Sequence, residues 1–226
     1  MSNEPESNGE QELEAERKQL EADRKRQEEM RARLLERRDA ALAHVVKFGD
    51  PVLRSRATPV AEFDQNLHEE VRRMVAIMSE GMGVGLAATQ LGILRRLLVF
   101  QAGPDSPPRA IVNPEIEWLS KENETAEEGC LSLPRVTMDV ERPLYARVTG
   151  RDELGEEIMI EASGLEARVL QHEIDHLDGV LILDRAPRDQ RKGALRALRA
   201  GEDYHPPGAD EDSEVGVSAD AAGATA

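Results

Sequence analysis

The residues most suited to chemistry in this chain are His172, Glu173 and His176, which form an H-E-x-x-H pattern. Apolar residues recur around them at helical spacing, and this predicts a helix over residues 163–177. Residues four apart share one face of a helix, so His172 and His176 can present two imidazole nitrogens to one metal ion. Glu173 would then lie near the open coordination position of that metal.

A catalytic metal of this kind takes three protein ligands and keeps one position open. The third histidine of a longer metalloprotease signature would fall at Ile182, which cannot bind metal. Asp184 and Glu166 are candidates for the third ligand, because carboxylates complete some two-histidine sites. Cys130, the single cysteine of the chain, is the other candidate. A nucleophilic Cys130 that uses His172 as its base is a further interpretation.

Composition narrows the classes of protein that the chain can represent. Its 226 residues carry a net charge of -16, which argues against a general nucleic-acid-binding surface and against DNA as a partner. One cysteine excludes an internal disulfide and fits a reducing compartment. The sequence contains neither an apolar run long enough to span a membrane nor the apolar core of a signal peptide. We therefore expect a cytoplasmic protein with no membrane partner.

The chain is predicted to form one domain with an appendage at each end. Residues 1–43 carry 12 acidic and 9 basic residues and few apolar ones. We expect disorder over residues 1–9 and a solvated charged helix over 10–43, with weak oligomerisation as the minor alternative. Residues 44–200 form the predicted catalytic domain. Residues 201–226 carry seven acids and no base, and are predicted to be a disordered acidic tail.

Within the central domain, helical and strand patterns alternate. An amphipathic helix is predicted to start after the N-cap Asp64 and to end by Gly81. A final basic helix is predicted over residues 187–200. Strands are predicted at 97–100, 110–112, 116–118, 144–149 and 156–160. The predicted fold class is α+β, with antiparallel or mixed sheets framing a central metal-binding helix.

Two further short motifs bear on the chemistry. The stretch 83–90 reads Gly-Val-Gly-Leu-Ala-Ala-Thr-Gln and lacks the residues of a phosphate-binding loop. Its glycines permit close backbone approach, and Gln90 supplies an amide donor, although a packing turn explains the same residues. Cys130 follows Glu128 and Gly129 in the second motif, Glu-Gly-Cys-Leu-Ser.

Together the three stretches resemble the signatures of the peptide deformylase family. These signatures are G-x-G-L-A-A-x-Q, E-G-C-L-S and Q-H-E-x-D-H-L-x-G, and they stand complete and in order at 83–90, 128–132 and 171–179. The resemblance extends over roughly residues 44–185. It covers neither the N-terminal helix nor the acidic tail.

The resemblance implies a role for each site residue. Cys130, His172 and His176 would be the metal ligands, and Glu173 would accept a proton from water and pass it to the departing amine. The developing oxyanion would be held by the Gln90 side-chain amide and the Leu131 backbone N–H, together with the metal. Residues implied to bind the substrate peptide are Val84, Gly85, Glu128, Gly129 and Val169, of which Val169 would line the methionine pocket.

The substrate implied is the formyl-methionine end of a nascent polypeptide, from which formate is released. A thiolate and two imidazoles suit Fe²⁺ or Zn²⁺. The family implies Fe²⁺ first, with Zn²⁺, Ni²⁺ or Co²⁺ as alternatives. The resemblance also implies docking on the ribosome through a C-terminal helix, so the basic helix at 187–200 is a candidate ribosome contact. A solvated surface helix is the alternative.

Two other functions fit parts of the sequence. A metallopeptidase with Asp184 or Glu166 as third ligand would cleave internal peptide bonds and would not need Cys130. A non-catalytic metal-binding or ribosome-associated module would bind metal without turnover. Intact Glu173 and Gln90 argue against the module, because neither is needed merely to hold an ion.

Overall fold

The computed structural model of the chain describes residues 6–103 and 106–207. Two compact units are distinguished, Met1–Ala40 and Ala41–Ala226. The helices are α1 (Glu6–Leu42), α2 (Gln65–Glu80), α3 (Gly164–Leu177), α4 (Ile182–Arg185) and α5 (Arg188–Ala200). The strands are β1 (Gly85–Ala87), β2 (Leu97–Phe100), β3 (Arg109–Leu119), β4 (Asn123–Cys130), β5 (Leu133–Pro143), β6 (Tyr145–Arg151) and β7 (Glu157–Ser163). The predicted α+β class is confirmed.

The described residues of the first unit belong to α1, and most of its side chains at 14 and 16–40 are exposed. Leu20, Met30 and Leu34 keep 70%, 59% and 53% of their surface accessible, so they do not form a buried seam. Ion pairs four residues apart follow the helix, as Glu14–Lys18, Arg17–Glu21, Arg24–Glu28 and Lys25–Glu29. The prediction that residues 1–9 precede the helix is wrong for 6–9, which are helical, and residues 1–5 lie outside the described part.

The second unit is built on a five-stranded antiparallel sheet in the order β1-β2-β3-β6-β7. All four residues of β2 are buried, because helices cover both of its faces. Leu98 and Phe100 pack in the cluster that contains α3, whereas Leu97 and Val99 pack in the cluster that contains α2. Alternate side chains of a strand point to opposite faces, so this apolar run fixes the sheet between the two helices.

α2 follows the sequence prediction closely. The Asp64 carboxylate accepts a hydrogen bond from the Leu67 N–H at 3.0 Å and caps the helix. Its buried residues recur at three- and four-residue spacing, as Leu67, Val71, Met74, Ile77 and Met78. This buried face of α2 packs against the sheet that contains β1, and it thereby holds β1 and the loop before β1 in place.

β4 and β5 form a separate two-stranded antiparallel sheet, and neither strand was predicted. β4 ends at Cys130, and the hairpin therefore delivers the cysteine to the site. The predicted strands at 110–112 and 116–118 are one strand, β3, which continues past Pro114 through two irregularities in its pairing with β6.

The acidic tail was predicted to start at Gly201, and this boundary is too early. The Thr137 N–H donates to the Tyr204 carbonyl at 2.9 Å, and the Tyr204 N–H donates to the Arg135 carbonyl at 2.9 Å. Asp203 pairs with Arg135 at 2.6 Å. These bonds attach residues 203–204 to β5, while residues 208–226 lie outside the described part. Across the residues that are described, no helix combines the length and the apolar character that membrane crossing requires.

Candidate metal centre and active site

α3 positions the two histidines of the H-E-x-x-H pattern. The helix runs from Gly164 to Leu177, and its apolar residues pack against β6 and β7. The imidazole rings of His172 and His176 lie 4.9 Å apart between centroids on one helix face. The helix ends at Leu177, and two residues later the chain turns at Gly179, where φ is +75° and a Cβ would lie 2.7 Å from the Arg54 carbonyl oxygen.

Cys130 joins the two histidines from the end of β4. Its Sγ lies 3.2 Å from His176 Nε2, and one ligand atom from each of the three residues lies within 4.8 Å of the other two. Across residues 6–103 and 106–207 this is the one group of three or more such side chains that is close enough to hold an ion.

The alternative third ligands lie outside this group. The Asp184 carboxylate accepts a hydrogen bond from the Leu181 N–H at 2.9 Å and pairs with Arg54, so its oxygens are engaged elsewhere. Glu166 lies in the first turn of α3 and is also absent from the group.

Burial alone would raise the pKa of the Cys130 thiol, but the electrostatic interactions and hydrogen bonds with His176 and His172 outweigh burial and hold this pKa well below its usual range. A thiolate is the form of cysteine that binds metal. The donor set, one thiolate and two imidazoles, fits a borderline divalent ion.

Within the described part of the chain, two buried polar atoms at the site have no hydrogen-bond partner, Glu173 Oε2 and His176 Nδ1. Glu173 keeps only 4% of its surface accessible, and burial is the main cause that raises its pKa. Unpaired buried polar atoms are rare because desolvation is costly. An unpaired carboxylate next to three ligand atoms is suited to exchange protons with a small reactant.

The loop at 83–90 lies against the same helix. Gly85 opens β1, and a Cβ at this position would lie 2.4 Å from Glu173 Oε1, so only glycine leaves room for that carboxylate. The Ala87 N–H donates to Gln90 Oε1 at 2.8 Å, which fixes the amide. Gln90 Nε2 then lies 3.7 Å from Cys130 Sγ and offers its hydrogens to the site. Thr89 Oγ1 also donates to the His176 carbonyl at 3.1 Å.

Glu128 has a contact that the sequence did not predict. It was expected to bind the substrate peptide, yet its buried side chain turns to α3, where its Oε2 lies 3.0 Å from His172 Nδ1. Burial would raise the pKa of Glu128, but hydrogen bonds from His172 and Arg142 lower it strongly. A carboxylate that accepts from one ring nitrogen leaves the other nitrogen free for a metal.

A buried ion cluster surrounds Glu128. Arg142 donates to both of its carboxylate oxygens, at 2.6 and 3.0 Å, and also to Asp175 at 2.9 Å. Arg168 donates to Glu128 at 2.8 Å. The position of Asp175, three residues after His172 on the same helix, is a sequence signal that could have placed it near the site. No sequence pattern indicated that the two arginines lie there.

A cleft opens over these side chains. It is lined by Gly83, Val84, Gly85, Gln90, Glu128, Gly129, Cys130, Leu131, Leu165, Arg168, Val169, His172 and Glu173. The cleft thus brings together all of the site residues that the resemblance implied except His176, which is 1% exposed and does not line it. Within the described residues, β1 and β4 each have a partner strand on one side only, and both border this cleft.

Comparison with known proteins places the chain in a family. The family model for polypeptide deformylase matches residues 42–192. A peptide deformylase of Thermotoga maritima is 49% identical over 138 residues, which is 61% of this chain and 83% of that protein. Peptide deformylase 1 of Corynebacterium glutamicum is 43% identical over 162 residues, 71% of this chain and 96% of that protein.

Solved structures show the same likeness. Peptide deformylase 1B of Arabidopsis thaliana in complex with an inhibitor matches with a TM-score of 0.67 and 36% identity, over 70% of this chain and 88% of that one. The Thermotoga maritima enzyme matches with a TM-score of 0.61 and 48% identity, over 63% and 96%. The chain belongs to the peptide deformylase family, whose members remove the N-formyl group from nascent polypeptides.

Proposed function

We propose that Cys130, His172 and His176 hold one divalent metal ion and that the chain uses this site to deformylate formyl-methionyl peptides. The observation that carries the proposal is the cluster of three ligand atoms with the unpaired Glu173 carboxylate beside it. When bound, such an ion supplies Lewis acidity, which eases deprotonation of water and polarises a carbonyl.

Glu173 is the proposed general base and acid. Its buried Oε2 has no hydrogen-bond partner among the described residues, and burial raises its pKa, so this carboxylate is more ready to accept a proton than an exposed one. It would take a proton from the attacking water and return it to the departing amine, so that the C–N bond breaks as formate and a free N-terminus form.

Gln90 and the Leu131 backbone N–H are the proposed donors to the developing oxyanion. The Ala87 bond to Gln90 Oε1 fixes the amide before the reaction, and donors fixed in advance pay no reorganisation cost when charge develops. Both residues line the cleft next to Cys130.

The substrate peptide is proposed to lie as an added strand in the cleft. The proposed pairing uses backbone groups at Gly85 and Gly129, on the open edges of β1 and β4, and at Val84 just before β1. Glu128 would contribute its backbone, since its side chain belongs to the ion cluster. Val169 lies on the cleft wall, where the methionine side chain would pack.

Formate release from a formyl-Met tripeptide tests the function. Protein purified without oxygen and loaded with Fe²⁺ or Ni²⁺ is expected to release formate, whereas Glu173→Ala is expected to keep its metal and lose turnover. Absence of release from fully metallated wild-type protein would contradict the proposal. Fe²⁺ is the proposed native ion, and metal analysis of the anaerobically purified protein would identify it.

α5 is proposed to contact the ribosome. Its five basic residues are all exposed, namely Arg188, Arg191, Lys192, Arg196 and Arg199. Basic side chains that neutralise RNA phosphates bind in a salt-dependent manner. Co-sedimentation with ribosomes is expected at low salt and is expected to be lost at high salt or when Arg191 and Arg196 become Glu. Absent or salt-insensitive co-sedimentation would contradict this contact. The cytoplasmic location stays a prediction.

A further inference from the structure

Arg168 occupies an unusual position for an arginine. It lies one helical turn before His172 on α3 and keeps only 5% of its surface accessible. Arginine is rarely buried to this degree unless its charge is paired. Its side chain also lines the cleft, next to Leu165 and Val169, so one residue belongs to both the cleft wall and the ion cluster.

The Arg168 guanidinium is fixed by several hydrogen bonds. Its Nη1 donates to the Val140 carbonyl at 2.9 Å, and its Nη2 donates to the Glu124 carbonyl at 2.8 Å. Nη1 also donates to Glu128 Oε1 at 2.8 Å. The backbone of the β4–β5 hairpin thereby orients the planar guanidinium, and the guanidinium in turn orients the Glu128 carboxylate.

Glu128 receives Arg168 and His172 on different oxygens. Arg168 binds Oε1, and His172 Nδ1 lies 3.0 Å from Oε2. Since residues four apart on α3 share a face, a single carboxylate can bridge the two side chains. A carboxylate that holds one imidazole nitrogen fixes the tautomer and ring orientation of a metal-binding histidine.

We propose that Arg168 is a positioning residue that connects the cleft wall to the metal ligand His172 through Glu128. This inference rests on the proposed metal site. It assigns Arg168 no contact with the reacting atoms. Its effect is to restrict the rotation of Glu128 and, through it, the orientation of the His172 ring.

Zinc release from the full-length, zinc-loaded protein to a coloured chelator tests the proposal. Arg168→Met keeps an apolar stem of similar length and removes the guanidinium, and we expect about tenfold faster release. The cobalt-loaded variant is expected to show a shifted visible absorption, because the ligand geometry changes. Arg168→Lys keeps the charge but replaces the planar guanidinium with a single ammonium group, and its release rate is expected to lie between those of the wild type and Arg168→Met.

Arg147→Met is the matched control. Arg147 pairs with Glu161 at 2.8 Å across two strands and is 39% exposed, so its loss removes the same charge without touching Glu128. Its zinc release and cobalt spectrum are expected to match those of the wild type. This control separates a change in net charge from a change in the position of His172.

Unchanged zinc release and an unchanged cobalt spectrum in Arg168→Met would overturn the proposal. A rise in KM with wild-type zinc release would also overturn it, because Arg168 would then only shape the cleft. If Arg168→Met does not fold, roughly twofold faster release from Arg168→Lys supports the proposal, and wild-type release overturns it. The zinc-release and cobalt measurements need no turnover, so they remain informative if the wild type releases no formate.

Discussion

The ion cluster at the site and the ion pairs along α1 use the same chemical groups in opposite surroundings. The Arg142 and Glu128 side chains are 4% and 3% exposed. On α1, the Arg24 and Glu28 side chains are 78% and 66% exposed. Both pairs join a guanidinium to a carboxylate, yet one lies between a hairpin and a helix and the other lies in water.

This difference determines what the loss of one partner costs. Water solvates a surface charge that has lost its partner, so such pairs contribute about 0–1 kcal/mol. A buried charge without a partner keeps its desolvation penalty, so breaking a buried pair costs about 3–5 kcal/mol. Substitutions in the buried cluster are therefore expected to cost far more stability than substitutions in the ion pairs of α1.

Arg142→Met is predicted to have the largest effect. It leaves Glu128 with Arg168 and His172 and deprives Asp175 of one donor, within a buried site. We expect a loss of about 3–5 kcal/mol in the free energy of unfolding, measured by urea denaturation. The matched control Arg24→Met on α1 is expected to cost below about 1 kcal/mol. Equal losses in both variants would remove the contrast between the two regions.

Gly85→Ala is predicted to have the next largest effect, and on activity more than on stability. The added methyl group would lie 2.4 Å from Glu173 Oε1 and must displace that carboxylate. A displacement of about 1 Å at a reacting group can reduce turnover roughly 100-fold. The measurement is kcat for formate release, with metal content checked in the same samples.

Gly103→Ala is the control for that change. Among the described residues, a Cβ at Gly103 would meet Ser106 Oγ alone, at 3.7 Å, which is an ordinary contact. Wild-type kcat in Gly103→Ala together with wild-type kcat in Gly85→Ala would show that Glu173 tolerates displacement, contrary to its proposed role.

The sequence predicted the parts of the site that have a fixed spacing. His172 and His176 lie four residues apart, and the apolar pattern around them predicted α3 within one residue at its start. β2 was predicted because a continuous apolar run reads as a strand covered on both faces. Both patterns involve residues that are close together in the chain, so they can be recognised in a single sequence.

The hairpin and the arginines could not be predicted in this way. β4 reads Asn-Glu-Thr-Ala-Glu-Glu-Gly-Cys, a polar stretch without strand alternation, and it becomes a strand because β5 pairs with it. Arginine is usually exposed, and nothing in the sequence marks Arg142 and Arg168 as buried. Their burial depends on Glu128 and Asp175, which reach them only after the hairpin packs on α3.

Asp184 provides an intermediate case, since its side chain is 29% exposed. Burial raises the pKa of Asp184, but the hydrogen bonds from Arg54 and the Leu181 N–H lower it by more than burial raises it. The net pKa therefore lies below the ordinary 3.8. A depressed folded-state pKa means that its contribution to stability is present above the ordinary pKa and is lost as pH falls through the folded-state value.

Asp184→Asn is therefore predicted to lower the free energy of unfolding by about 1 kcal/mol at pH 7, with a smaller difference as pH falls below about 4. Urea denaturation of both proteins at several pH values between 7 and 3 measures this difference. A difference that grows toward low pH would have the wrong sign for a depressed pKa and would contradict the assignment.

Glu28→Gln on α1 is predicted to have the smallest effect. It removes the carboxylate that Arg24 Nε contacts at 3.2 Å, in a pair that water reaches from every side. Pairs four residues apart contribute about 0.3–0.5 kcal/mol, so amide hydrogen exchange around residues 24–28 should accelerate by about twofold. Added salt at about 0.5 M should remove the difference, because it screens exposed charges. A loss of local helix stability above about 1 kcal/mol that does not change with salt would mean that this pair is shielded from solvent. The contrast with the buried cluster would then not hold.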